Sequence, residues 1–507
     1  MNALTEKRYL TLPEPSAGDT LAARERLLAA LPEGCRLTLG CMQQLYPVLH
    51  EAGYRVTVTL CPGAGGTDVV RVEPGDTTDR NYGLCLDIGS TTMQMELVDL
   101  LSGKTLAEAA CTNTQTQFGA NILDRILAVK ENPDNLHTLQ ALTLDDVRQM
   151  IERCCAQAGV PPEAVSAMTV GGNTTMLHFF LGCDPWQVFQ SPYTPVFFDP
   201  GVLRASELGL PIAGNIFCMP AIANYLGGDI TSGLLMTDLD TREDLALFLD
   251  IGTNGELVFG NRDFMMSCAC SAGPAFEGGD ISCGMRATDG AVESVKIDKD
   301  TMEPTLGIVG PEGQKPVGIC GSGIIDVIAE LYRTSIISSK GQFVRTGKRV
   351  AHDEHGMGRY ILATAAESET GREISITEVD VDSFIRAKAA IFSAINIMLS
   401  SLDMDVSVLS HVYVAGGIGS GINMENAVRI GMLPDIDREL FEYLGNTSLS
   451  GAYAMARSDC AVDKVDELAS NMTYMELSTN PRYMDEFVAA CFLPHTSREL
   501  FPSSIQE

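Results

Sequence analysis

Two uninterrupted apolar runs, Leu84-Cys85-Leu86 and Leu247-Phe248-Leu249, each lead into Asp-Ile-Gly. Runs of this kind predict strands buried on both faces. After the first, Met93 to Asp99 alternates apolar and polar residues, which predicts the returning strand of a hairpin. Leu257 to Phe259 returns in the same way after the second. Alternation also predicts strands over Tyr54–Leu60 and Val69–Val72, with Cys61 to Gly66 breaking the pattern between them. Short strands are expected at Val165–Val170 and Val412–Ala415.

Helical spacing predicts Thr20–Leu31 with Asp19 as its cap, then Met42–Ala52, Asn121–Val129 and Thr143–Ala158. Gly318 to Gly323 opens a helix through Tyr332, and Val381–Leu402 is a long helix with an apolar stripe. A last helix is expected from Ser448 to Arg457. Gly171-Gly172-Asn173-Thr174-Thr175 reads as a small-residue turn or a polar helix cap, and Asn224 to Gly233 as a loop that opens a helix. Pro192 to Pro211 is irregular, and Met475 to Pro502 is apolar enough to pack.

The repeat of the apolar-run, acidic-turn, return-strand unit predicts a duplicated domain. The expected fold class is α/β, with a small N-terminal α/β unit over 1–80, a first half over 81–242 and a second half over 243–507. At 507 residues the chain is long enough for each part to have its own core.

The chemistry sits in the turns. Asp87-Ile88-Gly89-Ser90-Thr91-Thr92 and Asp250-Ile251-Gly252-Thr253-Asn254-Gly255-Glu256 each offer backbone N–H groups and hydroxyl or amide donors to an anion. An Asp repels phosphate, but it can hold hydrated Mg²⁺ or orient a water. One such turn is commonly just a tight turn after a strand. Two of them, facing each other, would clamp a nucleoside triphosphate. Gly416-Gly417-Ile418-Gly419-Ser420-Gly421 follows a strand and allows close approach of a flat or phosphorylated ligand. Asp229 follows two glycines and is either a water-orienting carboxylate or a helix cap.

Several other readings fail. No Rossmann unit fits, because the glycine turn at 416–421 lies near the C-terminus without an acidic residue closing a following strand. Gly103-Lys104-Thr105 has the tail of a P-loop, but Val98 stands in place of the first glycine. His352-Asp353-Glu354-His355 lies in a charged stretch without further ligands and reads as a solvated loop. Cys268 and Cys270 flank a single residue and do not form a C-x-x-C site.

A net charge of −31 argues against nucleic acid and anionic membrane as partners. The first residues lack a signal-peptide core, and Arg386 and Lys388 interrupt the most apolar stretch, so no membrane span is expected. The 15 scattered cysteines fit free thiols in a reducing cytoplasm. No iron–sulfur cluster is expected, the one alternative being Cys270 paired across a dimer axis.

Together these turns resemble the acetate and sugar kinase, heat-shock chaperone and actin superfamily, with its duplicated ribonuclease-H-like, two-lobed fold. More narrowly, residues 81–502 resemble the C-terminal ATPase region of the reductive activators of corrinoid proteins. The matching stretches are Leu86–Thr92, Val170–Phe180, Asn224–Gly233, Leu249–Val258, Cys270–Gly279, Gly318–Leu331, Val414–Gly419, Gly445–Ala452, Leu477–Pro481 and Leu493–His495. Residues 10–75 more faintly resemble the linker and middle regions of that family.

The resemblance implies ATP and Mg²⁺ as ligands, with Asp87 and Asp250 flanking the metal through water. Gly89, Ser90, Thr91, Thr92, Gly252, Thr253, Asn254 and Gly255 would serve the phosphates, with Asn173 at the cleft. Gly416, Gly417 and Gly419 would lie against adenosine, and the Cys270–Gly279 turn, with Gly273 and Glu277, would line the cleft. Asp87, Asp250 or Asp229 would orient the attacking water. Such proteins are homodimers that dock on a corrinoid protein and return its cobalt from Co(II) to Co(I).

The family also carries an N-terminal ferredoxin-type domain with a [2Fe–2S] cluster. Here the chain starts too late for it, and Cys35, Cys41 and Cys61 are too few and wrongly spaced. A separate ferredoxin as electron donor is therefore expected, unless the protein reduces nothing. A small-molecule kinase and a nucleotide-gated docking module are the alternatives.

Overall fold

The computed structural model describes residues 3–119, 121–417 and 422–505. The chain forms two compact units. One comprises Met1–Met236 and Thr447–Asn471, the other Thr237–Asn446 and Met472–Glu507.

The first unit begins with strands β1 (Glu6–Thr11), β2 (Cys35–Leu37), β3 (Arg55–Gly63) and β4 (Gly66–Pro74) in the order β1-β3-β4-β2. The expected break after Leu60 is absent, because β3 and β4 form one hairpin and Pro62 and Thr67 pair across it. Pairing with β1 ends at Leu60, so Pro62 has no ladder bond to lose on that side. The helix expected from Thr20 is shorter, Ala23–Leu28, and Asp19 does not cap it. The Asp19 carboxylate instead accepts both Arg26 guanidinium nitrogens, at 2.7 and 3.1 Å. Helix Leu39–Glu51 is capped by Thr38, whose hydroxyl accepts from Cys41 N, and it buries Cys41, Leu45 and Leu49 against Val56, Val58 and Val69.

The larger sheet of this unit contains β5 (Tyr82–Ile88), β6 (Thr92–Asp99), β7 (Lys104–Thr112), β8 (Val165–Gly172), β9 (Val202–Arg204) and β10 (Asn215–Cys218). Its order is β7-β6-β5-β8-β10-β9. The first three strands form an antiparallel meander, β8 adds parallel to β5, and β10 adds parallel to β8. Leu84, Leu86, Ile88, Met93, Met95 and Leu97 are buried in one core with Met150, Ile151, Phe179 and Phe180. Each such side chain contributes about 1.5–3 kcal/mol of burial. The helix expected at Thr143 starts earlier, at Asp134. Gly171 and Gly172 are not a turn but the last residues of β8. Helix Thr447–Arg457 packs on β5, β8 and helix Gly228–Leu234. It is not the last helix, since Ala461–Ser470 and Tyr483–Ala490 follow.

The second unit opens with β11 (Ala246–Ile251), β12 (Gly255–Asn261) and β13 (Phe264–Cys270). Two three-stranded sheets follow, from β14 (Ala291–Ile297), β15 (Pro304–Ile308) and β16 (Gly318–Ile319), and from β17 (Val350–His352), β18 (Gly358–Ala363) and β19 (Ile374–Thr377). Then come β20 (His411–Ala415), β21 (Phe441–Gly445) and β22 (Met472–Tyr474). The main sheet has the order β21-β20-β11-β12-β13-β22. From β13 to β21 it repeats the first unit: an antiparallel meander, then two parallel strands beside the meander's first strand.

Helix Glu378–Ser400 starts at a capping box between Thr377 and Asp380. By length and composition it could cross a membrane, but 78% of its apolar window is buried within the fold. Leu477, Leu493 and Phe501 of the C-terminal segment pack into the same core. Lys388 on this helix is fully buried and donates to the Phe492 and Pro494 carbonyls, each at 2.6 Å.

Candidate active site

In the first unit the acidic turn lies where β5 ends. Asp87 pairs with Gln94 on β6 and with Gly171 on β8. Because Gly171 has no Cβ, the Thr447–Arg457 helix can approach. A Cβ there would stand 2.5 Å from Ser448 Oγ and 3.1 Å from Ser448 O. The space is used by the Ser448 hydroxyl, which donates to Asp87 Oδ1 at 2.7 Å. The Ser448 carbonyl in turn accepts from Ser232 Oγ at 2.6 Å. Gly451, one turn further on, has room only for hydrogen, because a Cβ would meet Ser232 O at 2.0 Å.

Asp229 joins this group from helix Gly228–Leu234. It is not the N-cap, a place taken by Gly227. Its carboxylate accepts the Ile230 N–H at 3.0 Å. Burial first, and then the nearby charge of Asp87, push its pKa up to about 7. Two carboxylates so close resist ionising together, and a divalent cation relieves that repulsion.

Gly89, Ser90, Thr91 and Thr92 are half-buried beside Asp87. Gly89 has no room for a side chain, since a Cβ would lie 2.4 Å from Thr92 O. Asn173 follows β8 at the start of the next helix. Its side chain accepts from Met176 N at 2.9 Å and caps helix Thr174–Leu181.

In the second unit Asp250 holds the matching position on β11. It pairs with Glu256 on β12 and with Ala415 on β20. The chain leaves β20 at Gly416 with φ +106°, and a Cβ there would lie 2.6 Å from Asp250 Oδ1 and 2.3 Å from Ile251 O. Gly416 is therefore the residue that lets this carboxylate rest against the backbone where β20 ends. Tyr443 OH donates to Gly416 O at 3.1 Å, and Gly417 is exposed and open around its Cα.

Gly252 N donates to Asn254 O at 2.9 Å and closes the turn. Gly273 N donates to Thr253 O at 2.8 Å, which sets the Gly273 loop beside it. Gly255 faces Cys270, whose Sγ would be 2.8 Å from a Cβ. The Cys270 thiol is buried, and burial followed by the charge of Glu256 drives its pKa far upward. Glu277 lies in the short 3-10 turn Pro274–Glu277, and its side chain, like Gly419, falls outside the described residues. His352, Asp353, Glu354 and His355 are exposed. Among the described residues no group of three or more His, Cys, Asp or Glu is placed to hold a metal ion.

Sequence reasoning assigned no role to Ser448 or Ser232 and read Gly171 as part of a turn. The signal for them was that Gly445–Ala452, Asn224–Gly233 and Val170–Phe180 matched the resembling family. What brings them to Asp87 is a helix that arrives late in the chain.

A three-stranded meander extended by parallel strands, with an acidic turn at the end of its first strand and formed twice, defines the ribonuclease-H-like ATPase class. Comparison with known proteins narrows this. Residues 244–505 match the family described as the C-terminal domain of RACo, the ASKHA domain. Residues 82–242 match the RACo middle region and 1–79 the RACo linker region. The corrinoid activation enzyme RamQ of Eubacterium limosum is 30% identical over 80% of this chain and 69% of its own length. The [Co(II) methylated amine-specific corrinoid protein] reductase of Methanosarcina barkeri is 26% identical over 77% and 73%. The solved structure of a reductive activator for corrinoid, iron-sulfur protein aligns with a TM-score of 0.91 and 41% identity, over 99% of this chain and 81% of that one. The chain thus belongs to the RACo family of reductive activators.

Proposed function

We propose that this protein hydrolyses ATP to drive the return of a corrinoid protein from Co(II) to Co(I), as a homodimer and with a separate one-electron donor of the ferredoxin type. The activities for which the relatives are named support the reaction. The arrangement that carries the ATPase part is Asp87 with Asp229 and Ser448, at the end of a strand whose turn recurs at Asp250.

Mg²⁺ bound with ATP would supply charge neutralisation at the phosphates. Mg²⁺ keeps most of its waters and takes one or two carboxylates, and Asp87, with Asp250 of the other unit, would meet it through water. Ser448 keeps Asp87 oriented through the hydrogen bond to its Oδ1. Ser90, Thr91, Thr92, Thr253 and Asn254 serve the phosphates, and Gly416 and Gly417 the adenosine.

Asp229 has the pKa of a general base at neutral pH. A water oxygen attacks the γ-phosphorus, the bond to the ADP oxygen breaks, and the water's proton passes to the Asp229 carboxylate. ADP and phosphate leave. Coupling requires that the nucleotide state change the grip on the corrinoid partner.

The test is ATP turnover by purified protein with and without a Co(II) corrinoid protein, in the presence of a one-electron reductant, with cobalt oxidation state read by absorbance. Hydrolysis without any small-molecule acceptor, faster with the corrinoid protein, is expected. Turnover that depends on a small acceptor would make it a kinase, and tight binding without turnover a docking module. Either result overturns the proposal. Sedimentation tests the dimer.

A further inference from the structure

Behind the Gly89-Ser90-Thr91 turn lies a guanidinium without an anionic partner among the described residues. Arg125, on helix Ile122–Glu131, is fully buried. Its Nη2 donates to Ser90 O at 2.7 Å and its Nε to Gly119 O at 3.1 Å. Its Nη1 reaches Gln115 Oε1 at 3.5 Å and Met176 Sδ at 3.6 Å. All four acceptors are neutral. Burial lowers its pKa to about 10, against the charge of its chain neighbour Asp124, the one charged group acting on it among the described residues.

The rest of the turn is braced from the same side. Asn113 Nδ2 donates to Gly89 O at 2.9 Å and Asn113 N to Thr91 O at 3.0 Å. Three successive carbonyls are thus held by Asn113, Arg125 and Asn113. In a trans peptide the N–H points opposite to the preceding carbonyl. The bond to Ser90 O therefore directs the Thr91 amide away from Arg125. A cation on the Ser90 carbonyl also polarises the peptide and strengthens the Thr91 N–H as a donor.

An unpaired buried cation is expensive unless something compensates it. We infer that Arg125 is a positioning residue whose buried charge, acting through the Ser90–Thr91 peptide, tunes the turn to the negative charge of a polyphosphate. The inference rests on the ATP-binding reading above and adds what sets its preference for charged over uncharged ligands. Arg125 does not touch the phosphates, since the turn lies between.

Adenosine, ADP and ATP are the probes, with affinities measured by calorimetry in wild type, Arg125→Gln and Arg125→Lys. Arg125→Gln should weaken ATP roughly tenfold, as expected for loss of a charge-assisted hydrogen bond, and ADP less. Adenosine should change by less than about twofold, a small fraction of that loss. A merely structural role would weaken all three alike. Arg125→Lys keeps the charge and should keep most of the ATP-over-adenosine ratio. If Arg125→Gln does not fold, a folded Arg125→Lys that loses that ratio overturns the inference, and one that keeps it supports it. Wild-type protein that binds no ATP defeats the ATPase reading and this inference together. Wild type that binds ATP, with Arg125→Gln binding equally well, defeats this inference alone.

Discussion

The Ser448 hydroxyl donates to the Asp87 carboxylate at 2.7 Å, although the two residues are 361 positions apart in the chain. This bond holds one Asp87 oxygen while the carboxylate stays beside Asp229. Ser448→Ala should lower the rate of ATP hydrolysis by about tenfold, the value of one hydrogen bond to a charged group. Asp87→Asn should lower it by about a hundredfold or more, as for removal of a main electrostatic group. Phosphate release at saturating ATP measures both, with circular dichroism as the check on folding. Wild-type rates in Ser448→Ala would remove any role for the bond.

Gly416→Ala should destabilise the second unit. It forces a side chain onto φ +106° and into contact with Ile251 O at 2.3 Å. Strain of this kind costs about 1–3 kcal/mol. Gly417→Ala meets nothing within 4 Å, so its stability should stay within about 0.5 kcal/mol of wild type. Thermal melts of the two variants side by side decide the matter.

Asp229 makes stability depend on pH. Its folded pKa is pushed up to about 7 from 3.8, so between those values the folded protein binds more protons than the unfolded chain. Its contribution therefore falls as pH rises through that window and is flat above it. Asp229→Asn should remove this slope and gain in melting temperature relative to wild type from pH 5 to pH 7. Parallel curves would show that Asp229 titrates normally. The same variant should be nearly inactive if Asp229 accepts the proton from water.

Lys388 has the opposite slope. Burial lowers its folded pKa from 10.5 to about 7, so the folded state holds fewer protons than the unfolded chain between those values. Stability from this group should rise as pH increases through that range. A neutral amine has two N–H donors, which match the Phe492 and Pro494 carbonyls. Comparing urea unfolding of wild type and Lys388→Met from pH 7 to pH 10 should show the slope only in wild type.

The two hairpins were legible because each is local. An apolar run, an acidic turn and a return strand occupy fewer than about twenty residues, and burial on both faces needs an unbroken apolar pattern. Asp87 and Asp250 stand at the ends of β5 and β11, as read. Boundaries fared worse where a side chain or a distant element took a residue elsewhere. Asp19 was drawn from a helix cap to the side chain of Arg26, seven residues on, and Gly171 from a turn into β8, beside β5 and the helix at Ser448. Asn173 is placed as a cap by its bond to Met176 N.

The order of apolar and polar positions was enough, by itself, to locate the two hairpins with their acidic turns and the duplicated plan, since those follow from short-range periodicity and turn chemistry, while strands such as Glu6–Thr11, Lys104–Thr112 and Asn215–Cys218 were not read from it. Only the tertiary structure decided what surrounds the turns. Ser448 at Asp87, Asp229 beside it, Arg125 behind Ser90 and Gly416 beneath Asp250 are set by the packing of elements distant in the chain. Such contacts depend on side-chain volume and backbone approach in three dimensions, and the periodicity of a single segment carries neither.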